Sequence, residues 1–478
     1  MRATLRNSLR FLRVLGVSAV KGLVFVEPPR RRGRRGNAEK SLTSVLVLLF
    51  IVSAVQTQNN TMSSKPDYQK LAAEMEQTLR HDVLSVWFPR AIDKDAGGFY
   101  SNFTRNWQRT TSEGKFSVFQ GRMVWVAAQV MINRPELKHE YQPIVAHGLH
   151  YLNDVLWDKE YGGFFWGLDD KNTTSSRFTD GKHLYGISFG LYGATAAYQA
   201  TKDPQGLELA KKTFRWIDQH AHDSTNGGYH EWLTRDGKIV ETKGGPTLEG
   251  VPVAGFPLGY KSMNTHIHLL ESFTQLYEVW PDEVLKSRLQ ELLEIVRDKI
   301  CVEPGVMNLY FTPSWQAIPD HDSYGHDVET AYLLLEAEAT LAHTPSARTE
   351  KMAKLLVDHA LAYGWDETYG GFYREGTTFG PAEDKRKEWW VQFEGLNALL
   401  LMHEKYGKQT DAYLSAFNKQ WLFIRGHQVD KEYGGVFDTI ERDGSVKDNT
   451  KSRIWKECYH ETRALLNTIA RLHQLAKN

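Results

Sequence analysis

The sequence predicts an all-α chain, an (α/α)6 barrel of six helical-hairpin repeats with short β-hairpins at the turns. Three observations predict it: a recurring Gly-Gly turn, a spacing of about 65 residues between copies, and apolar stretches of helical period between the turns. The turn reads D-K-D-A-G-G-F-Y at Gly97 and Gly98, K-E-Y-G-G-F-F at Gly162 and Gly163, and S-T-N-G-G-Y at Gly227 and Gly228. It returns as E-T-Y-G-G-F-Y at Gly370 and Gly371 and as K-E-Y-G-G-V-F at Gly434 and Gly435. One gap is about twice the period, and a decayed copy, Pro304-Gly305 to Tyr310-Phe311, fills it. Such repeats are copies of one supersecondary unit that cannot bury its apolar face alone. Residues 67–478 therefore read as a single barrel domain, not a string of modules.

Within each repeat, an acidic residue, paired glycines and then aromatics describe a turn with positive φ that enters a short strand. Between the turns, Leu207 to Ile217 keeps Leu207, Leu209, Ala210, Phe214 and Ile217 on one helical stripe. Asn264 to Trp280 does the same with Ile267, Leu269, Leu270, Phe273, Leu276 and Tyr277, and Pro281 stops it. About 65 residues hold two helices of ordinary length and a hairpin. An open superhelix would share this period. Closure is expected because six units are few for a solenoid, and because polar and aromatic residues gather near the turns, where a barrel has its mouth.

Fifty-eight basic and 58 acidic residues leave no net charge, which offers no electrostatic case for nucleic acid or acidic membranes. Fourteen Trp, 21 Tyr and 22 Phe can cover sugar rings, although most large aromatics serve a core. Two cysteines, Cys301 and Cys458, supply neither a disulfide framework nor a zinc pattern. The sequons at Asn59, Asn102 and Asn172 are short enough to arise by chance. Residues 1–66 differ in composition: R-R-R-G-R-R at Arg30 to Arg35 precedes an apolar run from Val45 to Val55. That run is too short to span a bilayer comfortably but matches the core of a secretory signal, so no stable membrane association is expected. Two readings fit this tail: a signal, giving an exported protein, or a start assigned too early, giving a cytoplasmic chain that begins at Met62.

Four segments carry chemistry. In Lys261-Ser262-Met263-Asn264-Thr265-His266-Ile267-His268, Asn264 and His268 share a helical face while His266 lies about 200° round from His268. A metal pair or solvated histidines fit this segment as well as catalysis does. In Ser323-Tyr324-Gly325-His326-Asp327-Val328-Glu329, His326 and Glu329 are three apart, and a carboxylate beside an imidazole raises its basicity and fixes its tautomer. A polar cluster favoured by the helix dipole fits equally. Trp455 to Arg463 opens the last helix, and Lys387 to Glu394, with Trp389 and Trp390, occupies the same place in the fifth repeat. Arg122 and Tyr185 stand at similar places in the first and second. In a closed barrel these helix starts converge, so Arg122, Tyr185, His268, His326, Trp389 or Trp390, and His460 would line one pocket. Three histidines could also hold zinc, but they lie on separate repeats without the usual ligand spacing.

Taken together, K-S-M-N-T-H-I-H-L-L-E, L-Y-E-V-W-P-D-E, S-Y-G-H-D-V-E-T, W-W-V-Q-F-E and W-K-E-C-Y-H-E-T-R resemble the N-acylglucosamine 2-epimerase family, its cellobiose 2-epimerase branch most of all. The resemblance runs from about Tyr68 to the C-terminus and implies an (α/α)6 barrel with no redox cofactor and no catalytic metal. It implies an isomerase that inverts C2 of the reducing glucose of a β-1,4-linked disaccharide, acting as a monomer or homodimer. By resemblance, His326 and His460 form the acid/base pair and His268 supports them. Arg122, Tyr185 and Asn264 hold sugar oxygens, Glu329 orients a histidine, and Trp389, Trp390 and Trp455 line the sugar subsites. Where the family usually has Pro before Tyr-His, this chain has Cys458. An N-acylglucosamine 2-epimerase or a mannose (aldose-ketose) isomerase shares the same enediolate chemistry. An inverting glycoside hydrolase would instead need two carboxylates about 6.5–9.5 Å apart, with Glu329 and Glu394 as candidates.

Overall fold

The computed structural model describes residues 67–240, 242 and 257–477. The basic run, the apolar run, Asn59 and Met62 lie outside them. Residues 67–478 form one compact unit. Helix α1 runs Tyr68–Gln77, continues through a π-helical stretch Thr78–Leu84, and ends as Ser85–Ala91. The others are α2 (Ser117–Asn133), α3 (Lys138–Tyr151), α4 (Leu184–Thr201), α5 (Pro204–Ala221), α6 (Met263–Val279) and α7 (Glu283–Ile295). They continue as α8 (Tyr324–Ala342), α9 (Ala347–Tyr363), α10 (Trp389–Tyr406), α11 (Ala412–Phe423) and α12 (Tyr459–Leu475).

The even-numbered helices form the inner ring. Helix α4 is apolar or small all round and buried without a break from Leu184 to Ala197, as a helix enclosed by neighbours must be. The odd-numbered helices are amphipathic. In α5, Leu209, Ala210, Phe214 and Ile217 face inward, as the period predicts, while Pro204 at the first helical position and Asp203 at the cap start it. Each inner helix packs on the next, α12 returns to pack on α2, and α1 packs on α12. Phe103 of the first repeat bridges to Ser452 of the last. The ring is closed, which an open superhelix could not be.

The Gly-Gly turns have the expected left-handed conformation. At Gly98, φ is +70° and an added Cβ would lie 2.8 Å from the Tyr151 ring, so conformation and space both require glycine. Behind each of the five intact turns, the aspartate accepts backbone N–H groups and a buried lysine ammonium. These pairs are Asp93 with Lys115 (2.6 Å), Asp158 with Lys182 (3.0 Å), Asp223 with Lys261 (2.7 Å), Asp366 with Lys387 (3.1 Å) and Asp430 with Lys451 (2.8 Å). The acidic residue was legible in the repeat; its lysine, arriving from the strand before the next inner helix, was not.

The expected hairpins are present at the turns as single antiparallel bridges, Ile92 with Phe99, Trp157 with Phe164, His222 with Tyr229, Trp365 with Phe372 and Val429 with Val436, and the longer pairings add to them. Most short strands pair across repeats: Lys115–Phe116 with Gly167–Leu168, Lys182–His183 with Trp232–Leu233, and Lys261–Ser262 with Tyr310–Phe311. His321–Asp322 with Glu375–Thr377 and Lys387–Glu388 with Thr439–Ile440 follow the same rule. Longer hairpins add a further strand at Ala317–Ile318, Ala382–Asp384 and Val446–Asp448, and another joins Cys301–Val302 to Val306–Met307 at the decayed turn. Pairing across repeats satisfies strand edges that a two-residue hairpin would leave open, and it fastens each inner helix start to the next. Among the described residues, no helix is long and apolar enough to cross a membrane.

Candidate active site

The N-terminal ends of the inner helices surround a cavity of about 300 Å³. All ten residues singled out in the sequence line it: Arg122 from α2, Tyr185 from α4, Asn264 and His268 from α6, and His326 and Glu329 from α8. Trp389 and Trp390 come from α10, Trp455 from the loop before α12, and His460 from α12 itself. His266 turns away, as its angular offset requires. It is fully buried, its Nδ1 donates to Ser262 O (2.7 Å), and its Nε2 accepts from Tyr229 N (3.1 Å).

The three cavity histidines are held differently. His460 Nδ1 donates to Glu394 Oε1 at 2.5 Å, and His268 Nδ1 donates to Glu271 Oε2 at 2.8 Å. Those carboxylates fix the tautomer and leave each Nε2 lone pair free. His326 Nδ1 meets Ser323 Oγ at 2.7 Å, a hydroxyl that can donate or accept. The Trp390 ring neighbours both catalytic candidates, 4.7 Å from His326 and 5.7 Å from His460 by centroid.

The bond that spacing suggested between His326 and Glu329 is not the one made. Glu329 accepts from Arg463. Burial pulls the His326 imidazole down to about 3, and the nearby Glu329 charge offsets only part of that. His460 is likewise held well below the usual histidine range, by burial first and then by the Arg122 guanidinium. Both are held as neutral bases.

Arg122 is buried and donates to Glu457 (3.1 Å) and to the Tyr185 hydroxyl (3.1 Å), with its guanidinium over the Phe189 ring at 4.1 Å. Burial opposes its charge, but Tyr185 and Glu457 outweigh that and raise its pKa. Tyr185 is pushed up to about 12 by burial, with Arg122 pulling the other way. Asn264 Oδ1, Arg122 Nε and Trp389 Nε1 have no hydrogen-bonding partner. Buried polar atoms require partners, and the hydroxyls of a sugar supply both donors and acceptors.

Behind the wall, Arg463 joins three carboxylates from three inner helices: Glu271 of α6, Glu329 of α8 and Glu394 of α10. Burial would raise Glu271, but Arg463 and His268 pull it down to about 2. The roles of Arg463 and Glu271 escaped the sequence reading. The signal for Glu271 was its place three residues after His268, the spacing used for Glu329. Tyr310, Glu388 and Arg453, which also line the cavity, sit on short strands and loops without a diagnostic period. Cys458 occupies the cap of α12, buried with its thiol 3.8 Å from Met123 Sδ, and His460 still faces the cavity.

The hydrolase alternative loses its geometry. Glu329 and Glu394 bring oxygen atoms within 4.8 Å of each other and share the Arg463 guanidinium, and Glu394 is fully buried. An inverting hydrolase needs room for a water between its carboxylates. Among the described residues, the donor atoms that converge here are those of Glu329, Glu394 and His460, and Arg463 binds both carboxylates.

Residues 98–464 match the family model described as N-acylglucosamine 2-epimerase (GlcNAc 2-epimerase). The chain is 30% identical over 404 residues to a cellobiose 2-epimerase of Bacteroides fragilis, covering 84% of this chain and 98% of that one. A D-mannose isomerase of Marinomonas mediterranea is 23% identical over 413 residues, 82% of this chain and 94% of that one. Among solved structures, the cellobiose 2-epimerase of Spirochaeta thermophila DSM 6192 superposes with a TM-score of 0.76 at 27% identity, covering 87% of this chain and 99% of that one.

Proposed function

The chain belongs to the N-acylglucosamine 2-epimerase family of sugar epimerases and isomerases, and we propose that within it this protein is a cellobiose 2-epimerase. It would interconvert cellobiose and 4-O-β-glucosyl-mannose at C2 of the reducing sugar. One observation carries the reading: two neutral imidazoles, His326 and His460, both neighbour the Trp390 ring in a cavity that also holds a buried arginine. The relatives named cellobiose 2-epimerase support the choice of sugar. Trp389, Trp390 and Trp455 offer faces for two sugar rings.

The C2 proton beside an aldehyde is weakly acidic. Removing it needs a base and a cation for the enediolate. One imidazole Nε2 takes the C2 proton of the open-chain sugar, and the electron pair passes to O1, where Arg122 and Tyr185 donate to the developing charge. After rotation about C2–C3, the second imidazole gives a proton to the opposite face of C2. That imidazole draws its proton from solvent once an anion faces it, because the enediolate raises its pKa. The first imidazole then releases its proton, and no net proton is consumed. His268, with its tautomer set by Glu271, supports the open-chain sugar.

Proton NMR of cellobiose incubated with the protein in D2O tests this. A mannose-type reducing end bearing deuterium at C2 is the expected result. Free glucose would instead indicate a hydrolase. An unchanged spectrum with cellobiose but turnover of mannose or N-acetylmannosamine would keep the family and overturn the substrate.

A further inference from the structure

The fourth repeat breaks the rule that a lysine neutralises each turn. Asp322 stands where the other strands carry lysine: it pairs with Gly376 as Lys115 pairs with Leu168 and Lys387 with Ile440, two residues before its inner helix. The turn aspartate is gone as well, replaced at the decayed turn by Val302. The ammonium has been lost and a carboxylate gained. A second carboxylate, Asp327 in the first turn of α8, lies beside it, and His359 approaches from α9.

Asp322 and Asp327 are fully buried and His359 is 4% exposed. Apart from contacts between the two carboxyl groups themselves and the Ser323 backbone, the four carboxylate oxygens and both imidazole nitrogens have no well-aligned hydrogen-bonding partner. His359 Nδ1 lies 3.3 Å from Asp322 Oδ2, and one donor atom from each of the three residues falls within 4.8 Å of the other two. The contrasting cluster at Glu329, Glu394 and His460 has Arg463 bound to it; this one has no such side chain among the described residues.

We propose that Asp322, Asp327 and His359 bind a divalent transition-metal ion, zinc being the best match to two carboxylates and an imidazole. Two carboxylates balance the charge of one divalent ion, and a neutral imidazole completes a ligand set that zinc accepts. The ion takes the part that lysine plays in the other repeats, tying the inner helix start to the outer helix. Asp327 adjoins His326 in sequence but does not line the cavity, so the site is structural and holds the first turn of α8 in place. The competing arrangement is a proton shared by the two carboxyl groups, since burial pushes Asp322 up to about 7 and holds Asp327 well above the usual carboxylate range.

The test is calorimetric titration of zinc into chelator-stripped protein, beside the variants Asp327→Asn and His359→Gln. The expected result is one tight site per chain in the wild type, a rise in Tm on saturation, and loss of that site in both variants. No stoichiometric site, or a site undiminished in both variants, would overturn the proposal in favour of the shared proton or of binding elsewhere. Should the variants fail to fold, X-ray absorption of the zinc-loaded wild type decides. One nitrogen and carboxylate oxygens around zinc support the site, and sulfur ligation or an all-water shell refutes it.

Discussion

Glu394→Gln isolates what a buried charge does for His460. Glu394 Oε1 accepts from His460 Nδ1 (2.5 Å) and from Arg463 (2.6 Å), and Oε2 accepts from the Tyr332 hydroxyl (2.8 Å). Glutamine can keep its oxygen toward both His460 and Arg463, while Tyr332 turns to accept from the amide. Shape and imidazole tautomer therefore survive, and only the charge is removed. Exchanging a charge-assisted hydrogen bond for a neutral one lowers its worth by about 1–1.5 kcal/mol, or roughly tenfold in rate. A unit charge about 4 Å away at an effective dielectric near 20 is worth about 4 kcal/mol, roughly a thousandfold. The rate should fall between these bounds. The charge favours only the imidazolium formed during proton transfer, so the loss belongs in kcat, with KM little changed. The assay is initial-rate epimerisation of cellobiose by NMR, with circular dichroism to confirm folding. A kcat within twofold of the wild type would refute the assignment of His460 as a proton-transfer group backed by Glu394.

Other outcomes follow from the same geometry. His326→Ala and His460→Ala should each lower kcat by about 10²–10⁴, as loss of a general base does, and near wild-type turnover in both would end the two-histidine mechanism. Because burial depresses both imidazoles, the neutral base persists as pH falls, so kcat/KM should show no acid limb near 6.5; an inflection at or above that value in a pH–rate profile contradicts the reading. Lys115→Met leaves the buried Asp93 carboxylate uncompensated at the first turn and should cost about 3–5 kcal/mol in chemical denaturation, whereas a loss under about 1 kcal/mol would show the pair to be dispensable.

The architecture was legible because it is written many times over. Five intact Gly-Gly turns, each needing positive φ, and helices such as α5 with one apolar stripe report a repeat that local physics enforces at every copy. The separation of His268 from His266 was equally readable, since two residues along a helix turn a side chain to the far face. Arg463 was not, because one guanidinium joins Glu271, Glu329 and Glu394 from three inner helices, and no spacing in the chain records which helices become neighbours. Glu329 shows the same limit: its i, i+3 relation to His326 is real, but the chain does not record that Arg463, from the last helix, arrives to bind it.

By itself, the sequence determined the repeat, the turns, the helices between them, and the residue types gathered at the helix starts. All of these follow from interactions between residues close in the chain. Tertiary structure alone decided that the ring closes through Phe103 and Ser452, that strands pair between repeats, and that burial makes His326 and His460 neutral. Those outcomes depend on which surfaces meet and how much water they exclude, and both are set by the packing of residues hundreds of positions apart.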